Sequence, residues 1–332
     1  MGKFSIHSLM TRGNNIVMLC CITVATFALM SCLAPRFLTE RNMVSMSFLF
    51  PELGILALAM MLAMLTGGID LSLVGTANLS SILVGFVMVR LAPRGTPPEK
   101  AIPVIAMAVA LALVIGAVCG LLNGFIIARF RVPPILATLG TMQLFTGIAM
   151  VLTKGTAVIG FPGQYSRIGN GSIGGYVSYP LILFLALLAV FYVMQKRSYL
   201  GIKFYLVGSN AKAADFAGIN VPRTLMTSYL MSGVLAALAG IIMSSRTNAA
   251  KADFGSSYTL QAILVAVLGG INPNGGSGNV MGILMAVLSL QFLSSGFTML
   301  RFSNFTKDFV WGAFLLAIMI VNYFLYERKK TT

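Results

Sequence analysis

Ionisable residues divide this chain into long uncharged runs, and the lengths of those runs decide what it can fold into. The runs cover residues 13–35, 53–69, 71–89, 101–128, 132–153, 168–195, 224–245, 254–300 and 309–326. A helix rises about 1.5 Å per residue, so about 20 apolar residues cross a hydrocarbon layer about 30 Å thick. Each run except 254–300 holds one span. That run is too long for one, and Gly269-Gly270-Ile271-Asn272-Pro273-Asn274-Gly275-Gly276-Ser277-Gly278 splits it with a strong turn signal. Ten transmembrane helices in a single all-α domain, residues 1–332, are expected. Only 9% of the 332 residues are charged and 58% are hydrophobic. A soluble domain carries about 25% charged residues, and a disordered chain lacks this hydrophobicity. The first run follows Lys3 and Arg12, and Leu29-Met30-Ser31-Cys32 faintly resembles a lipoprotein box. Its length favours a first membrane helix over a signal peptide.

The net charge of +15 would suggest nucleic acid on a soluble protein. Here the basic residues are scattered at run ends, which is the pattern of membrane-topology charges and gives no nucleic-acid partner. Ten spans place both termini on one side, with twelve of the 23 basic residues there and eleven opposite. The clusters Arg129/Arg131, Lys196/Arg197 and Arg328-Lys329-Lys330 lie at span ends, where the positive-inside rule counts most, and place both termini in the cytoplasm. The loop 154–178 then lies outside. It is rich in glycine and reads either as a flexible connector or as a docking or gating surface. The loop 196–223 lies inside. Ser209 or Asn210 can cap a short helix there, and Gly218 can end it. With Ala213 and Ala214 allowing close approach and Phe216 as an apolar knob, this helix suits mechanical contact with a soluble motor subunit. An ordinary capped surface helix is the other reading.

Asp70 is the main candidate for a functional residue, because an ionisable group beside an apolar span must be paired, hydrated or placed at an interface. Gly67 and Gly68 loosen the chain just before it. Asp70 reads either as a cap on the next helix, meeting its dipole, or as a gating or substrate contact. Gly116, Gly120 and Gly124 form one flat helix face that suits close packing, with Asn123 beside it. Thr141, Gln143, Ser289 and Gln291 are uncharged polar residues within spans, and could line a path for a hydroxyl-rich solute or bond helices together. His7 is the only histidine, the four cysteines lack ligand spacing, and no metal site is expected. No Gly-x-x-x-x-Gly-Lys-Ser/Thr phosphate loop occurs, so an ATP-driven process would need its motor on another chain.

Several motifs, in order along the chain, resemble bacterial ATP-binding cassette (ABC) importer permeases of the ribose, xylose, galactose and autoinducer-2 type. They are Gly67-Gly68-Ile69-Asp70-Leu71-Ser72, Val132-Pro133-Pro134-Ile135-Leu136-Ala137-Thr138-Leu139-Gly140, Ala217-Gly218-Ile219-Asn220-Val221, the stretch Ser232 to Gly240, and Val267-Leu268-Gly269-Gly270-Ile271 with Gly275-Gly276-Ser277-Gly278. The resemblance implies a multi-pass protein of the inner membrane and a second permease chain, identical or paralogous. It also implies soluble ATPase partners that hold ATP and Mg, a periplasmic solute-binding protein, and no cofactor on this chain. Ala213-Ala214 and Gly218 echo the coupling motif of such permeases, with Lys212 where the family has an acidic residue. Ser72-Leu73-Val74-Gly75 is one residue longer than the family's Ser-Val-Gly. The implied activity is import of a sugar-like solute by alternating access. An ion-coupled carrier, with Glu52 and Asp70 as its only plausible relay acids, is the alternative.

Overall fold

A computed structural model describes residues 15–330, with side-chain surroundings for residues 16–320. His7, Lys3 and Arg12 lie outside the described residues, and the side chains of Arg328-Lys329-Lys330 are likewise outside them. The helices are α1 (Asn15–Leu33), α2 (Glu40–Leu65), α3 (Leu73–Leu91), α4 (Pro98–Phe130), α5 (Pro134–Thr153), α6 (Gly163–Asn170), α7 (Tyr179–Arg197), α8 (Tyr199–Ser209), α9 (Ala211–Phe216), α10 (Val221–Thr247), α11 (Tyr258–Leu268), α12 (Val280–Met299) and α13 (Asn304–Lys330). Four two-residue strands join them: β1 (Val158–Ile159), β2 (Ser172–Ile173), β3 (Val177–Ser178) and β4 (Ala249–Ala250). Among the described residues eight helices are long and apolar enough to cross a membrane: α1 to α5, α7, α10 and α12. The protein is therefore a polytopic helical membrane protein.

The run 254–300 does split at its glycines, but its first half differs from a full span. The helix α11 has 11 residues and rises about 16 Å, half of a hydrocarbon core. The preceding residues leave helical geometry because β4 pairs with β1 and Gly255 takes φ +62°.

The core forms around α2, which is apolar on every side and buried from Phe50 to Leu65. A helix without a polar face must be surrounded by other helices, and α7, α10, α11 and α12 pack around it. By contrast α4, α5 and α7 turn large apolar side chains outward, among them Val114, Val118, Leu144, Val151 and Val190. Such faces are stable against lipid and not against water. Pro51 lies inside α2 and has no N–H to give to the carbonyl of Ser47. The Ser178 hydroxyl donates to that carbonyl instead, at 2.5 Å.

The most extensive helix pairing is α4 with α10. A Cβ on Gly116 would strike the backbone of Gly233, one on Gly120 the carbonyl of Tyr229, and one on Gly124 would lie 2.7 Å from Met226 Cα. The two backbones therefore touch along the glycine stripe, in the manner of small-residue packing in membranes.

The two ends of the bundle differ. At one, here the strand end, β1 pairs antiparallel with β4, β2 pairs with β3, and Arg94 N–H bonds Gly160 O at 2.9 Å. At the other, the α8–α9 end, Gly276 N–H bonds Leu65 O at 3.1 Å, and Tyr205 OH donates to Gly278 O at 2.6 Å.

Gly120→Leu should lower stability by about 1–3 kcal/mol, read as a drop in the unfolding midpoint of the purified protein. Gly140→Ala, at a position with nothing within 4 Å of an added Cβ, should leave that midpoint unchanged or raise it.

Candidate functional site

Two non-helical stretches interrupt the helical bundle, and the polar residues cluster around them. The first joins α2 to α3. Gly67 takes φ +84°, and Gly68 N–H returns to Ala63 O at 3.0 Å, which ends α2. A Cβ on Gly68 would overlap the Tyr229 hydroxyl, so a larger residue there would have to displace it. Asp70 is 1% exposed. One carboxylate oxygen accepts from Ser72 N–H at 3.0 Å and Ser72 Oγ at 2.7 Å; the other accepts from Ser232 Oγ at 2.9 Å. Ser72 Oγ in turn accepts from Asn123 Nδ2 at 2.7 Å, and Asn123 Oδ1 accepts from Thr141 Oγ1 at 2.6 Å. Thr138 Oγ1 donates to Ile69 O at 2.8 Å. The network thus joins the stretch before α3 to α4, α5 and α10. The residue at the cap position of α3 is Ser72, and Asp70 closes the turn that leads into it. Gly75, which the extra residue displaces, faces α5: its added Cβ would lie 3.3 Å from Met142 O.

The second stretch runs from Asn248 to Ser257, before α11. Asn248 takes φ +52°. Asn78 of α3 donates both amide hydrogens of its side chain, to Ala252 O and Phe254 O, each at 2.9 Å. Against this stretch lies a cavity of about 150 Å³, bordered by Glu52, Met243, Arg246, Thr247, Phe254, Gly255 and Tyr258. Glu52 is fully buried, and its two carboxylate oxygens accept from Arg246 Nε and from Arg246 Nη2, the latter at 3.1 Å. The Tyr258 hydroxyl donates to Glu52 Oε2 at 3.5 Å. Removing one partner of such a buried pair costs about 3–5 kcal/mol. In the sequence Glu52 stands out only as a candidate relay acid, and neither Arg246 nor Tyr258 is singled out. The available signal was an acid and a base at the edges of two apolar runs: two charges at membrane depth must find each other.

At the α8–α9 end, Asn210 Oδ1 accepts from Ala213 N–H at 3.0 Å, and Gly218, at φ +80°, turns the chain so that Ile219 N–H reaches Ala214 O at 3.0 Å. Ala214 packs with Val207 and Ile219. Phe216 is 94% exposed. The helix α8 is an addition to the single short helix expected in this loop. It starts where Ser198 Oγ accepts from Gly201 N–H at 3.1 Å, and Phe204 and Val207 anchor it. Burial pushes the Tyr205 phenol up to about 12, so it stays a donor to the 271–279 loop.

The strand-end loop 154–178 shows no helical period in its sequence, yet it contains α6. Tertiary contact explains the difference. Tyr165 is buried, its hydroxyl lies 2.7 Å from Ser244 Oγ, and Gly169 lets α6 approach the backbone of Arg246.

The four span polar residues do not converge. Thr141 belongs to the Asp70 network, Ser289 bonds Thr23 of α1 at 2.8 Å, Gln291 is buried in α12, and Gln143 points outward from α5. Among the described residues no group of three or more His, Cys, Asp or Glu could hold a metal.

Residues 42–319 match the family described as "Branched-chain amino acid transport system / permease component". The chain is 33% identical over 274 residues to the autoinducer 2 import system permease protein LsrD of Yersinia enterocolitica, covering 81% of this chain and 79% of the relative. It is 33% identical over 292 residues to the protein of the same name from Salmonella paratyphi B, covering 86% and 84%. No solved structure matches. The chain belongs to this family of transport permeases, and it is a multi-pass protein of the bacterial inner membrane.

Proposed function

We propose that this chain is the membrane-spanning subunit of an ATP-driven importer for a sugar or sugar-like solute, and that it works by alternating access. The observation that carries this reading is the alignment with autoinducer 2 permeases over four fifths of both chains. ATP and Mg are held by a separate ATPase chain, since this sequence has no phosphate-binding loop. A second permease chain, identical or paralogous, completes the path. A solute-binding protein delivers the solute at the strand end, which faces outward, and both termini lie in the cytoplasm.

The α8–α9 end is where the ATPase makes contact. Ala213, Ala214 and Gly218 shape a short helix whose inner face is seated on Val207 and Ile219, and Phe216 projects from it almost fully exposed. An aromatic ring held out on a braced helix can enter a pocket of another protein and transmit force to α8 and α10. The break at Gly67, Gly68 and Asp70 acts as a gating hinge, because it is held by side chains from α4, α5 and α10 and not by one helix alone. Gln143, outward from α5, lines the path where the two permease chains meet. Thr141 and Ser289 hold helices together.

Proteoliposomes that contain the permease, its ATPase and its binding protein should take up solute only with ATP. Uptake without the ATPase, driven by an ion gradient, would favour the carrier reading. Phe216→Ala should leave membrane insertion intact and lower ATP-driven uptake severalfold while ATP hydrolysis continues; unchanged coupling removes Phe216 from the contact. In a variant without its native cysteines, Ser209→Cys should react only with a membrane-permeant thiol reagent, and Tyr176→Cys with an impermeant one in intact cells. The opposite pattern reverses the orientation.

A further inference from the structure

We propose that the cavity at the second break is a recognition site on the permease itself for a neutral polyhydroxyl solute, formed by Glu52, Arg246 and Tyr258 over an apolar floor of Phe254 and Met243. This inference rests on the reading of the chain as a sugar-type permease, and assigns that reading a site.

Four observations carry it. The first is the open side of the ion pair. A guanidinium has five N–H donors; two of Arg246's go to Glu52, and the others have no protein partner among the described residues. The Arg246 side chain remains 25% exposed and borders the cavity. The second is energetic. A buried ion pair is a poor stabiliser compared with apolar residues of the same volume, and everything around Glu52 on α2 is apolar. A pair kept there with donors to spare is suited to binding. The third is the mixture of surfaces. The rings of Phe254 and Tyr258 and the thioether of Met243 lie beside the charged pair. A few convergent polar groups on an apolar wall are the pattern of a small-molecule site, and a sugar presents the matching combination of hydroxyl edge and C–H face. The fourth is the backbone. A non-helical segment leaves backbone groups outside a helix's own hydrogen bonds, which a hydrated cavity can satisfy, and Phe254 and Gly255 belong to such a segment.

The pair also sets the solute's charge. Glu52 and Arg246 cancel each other, so the site favours neither an anion nor a cation. Solute hydroxyls can accept from the remaining guanidinium N–H groups of Arg246, while Glu52, fully buried behind it, neutralises its charge. The cavity of about 150 Å³ has room for several waters or a small polar solute. The site lies at the strand end, on the path from the binding protein.

The test measures binding to the permease alone in lipid nanodiscs, by saturation-transfer NMR with autoinducer 2, D-ribose and D-xylose as probes. At least one should bind wild type. Tyr258→Phe, which removes only a hydroxyl, should weaken that probe about three- to tenfold. Arg246→Lys, which keeps the charge and loses the fork, should weaken it at least as much. The 2-deoxy form of a bound pentose should compete poorly with wild type and no worse than the parent with Tyr258→Phe. If Arg246→Lys fails to fold, Tyr258→Phe decides. ATP-driven uptake of the same probes in the full complex separates the two levels. Uptake without binding to the permease, or binding indifferent to Tyr258→Phe, overturns the site and leaves the importer standing. No ATP-driven uptake of any probe overturns both.

Discussion

Inside a hydrocarbon layer every backbone N–H and C=O must find a protein partner, at a cost of several kcal/mol for each that does not. This constraint organises the molecule. Straight helices meet it by themselves, so α1, α4, α5 and α7 can turn large apolar side chains outward. The two interruptions cannot, and each has its own polar side chains from neighbouring helices. Before α3, Thr138 takes the carbonyl of Ile69, and Asp70 takes the N–H of Ser72. Before α11, Asn78 takes two carbonyls with one amide group. Even the carbonyl released by Pro51 has its own donor in Ser178. Most of the buried polar residues named here are tied to places where the helical pattern stops.

The second condition is proximity. The Asp70 network reaches Ser232 on α10 and Asn123 on α4, and short side chains reach only if the helices are close. The stripe Gly116, Gly120 and Gly124 brings the α4 backbone onto α10. Small residues and polar residues therefore work as one device: glycine closes the distance and serine or asparagine uses it.

The spans were legible because hydrophobic runs bounded by charges depend only on the solvent, and a bilayer imposes one length. The helix cap at Asn210 and the stop at Gly218 were legible for a local reason: both bonds close within a few residues of the chain. The helix α6 was not, since eight residues rich in glycine hold their shape through Tyr165 and Gly169 against α10. The shortness of α11 was hidden too. The residues before it are compatible with a helix, and what diverts them is pairing of β4 with β1, about 90 residues away in sequence. The pairing of Glu52 with Arg246 across 194 residues is long-range in the same sense. A sequence read alone shows the two charges and gives no distance between them.

The helix α10 touches all three functional regions. Near its start, Asn220 caps it just after the α8–α9 unit. Midway, Ser232 holds Asp70 at the first break. Near its other end, Arg246 holds Glu52 beside the second. From Met226 to Ala237 it rests closely on α4, where an added methyl group has no room. Close contact of this kind resists local bending and favours movement of the helix as a body. If an ATPase displaces the α8–α9 unit, the displacement is delivered to both breaks together, because the same rigid helix carries a ligand to each. On the proposed reading, that arrangement would couple a push at one end to solute access at the other.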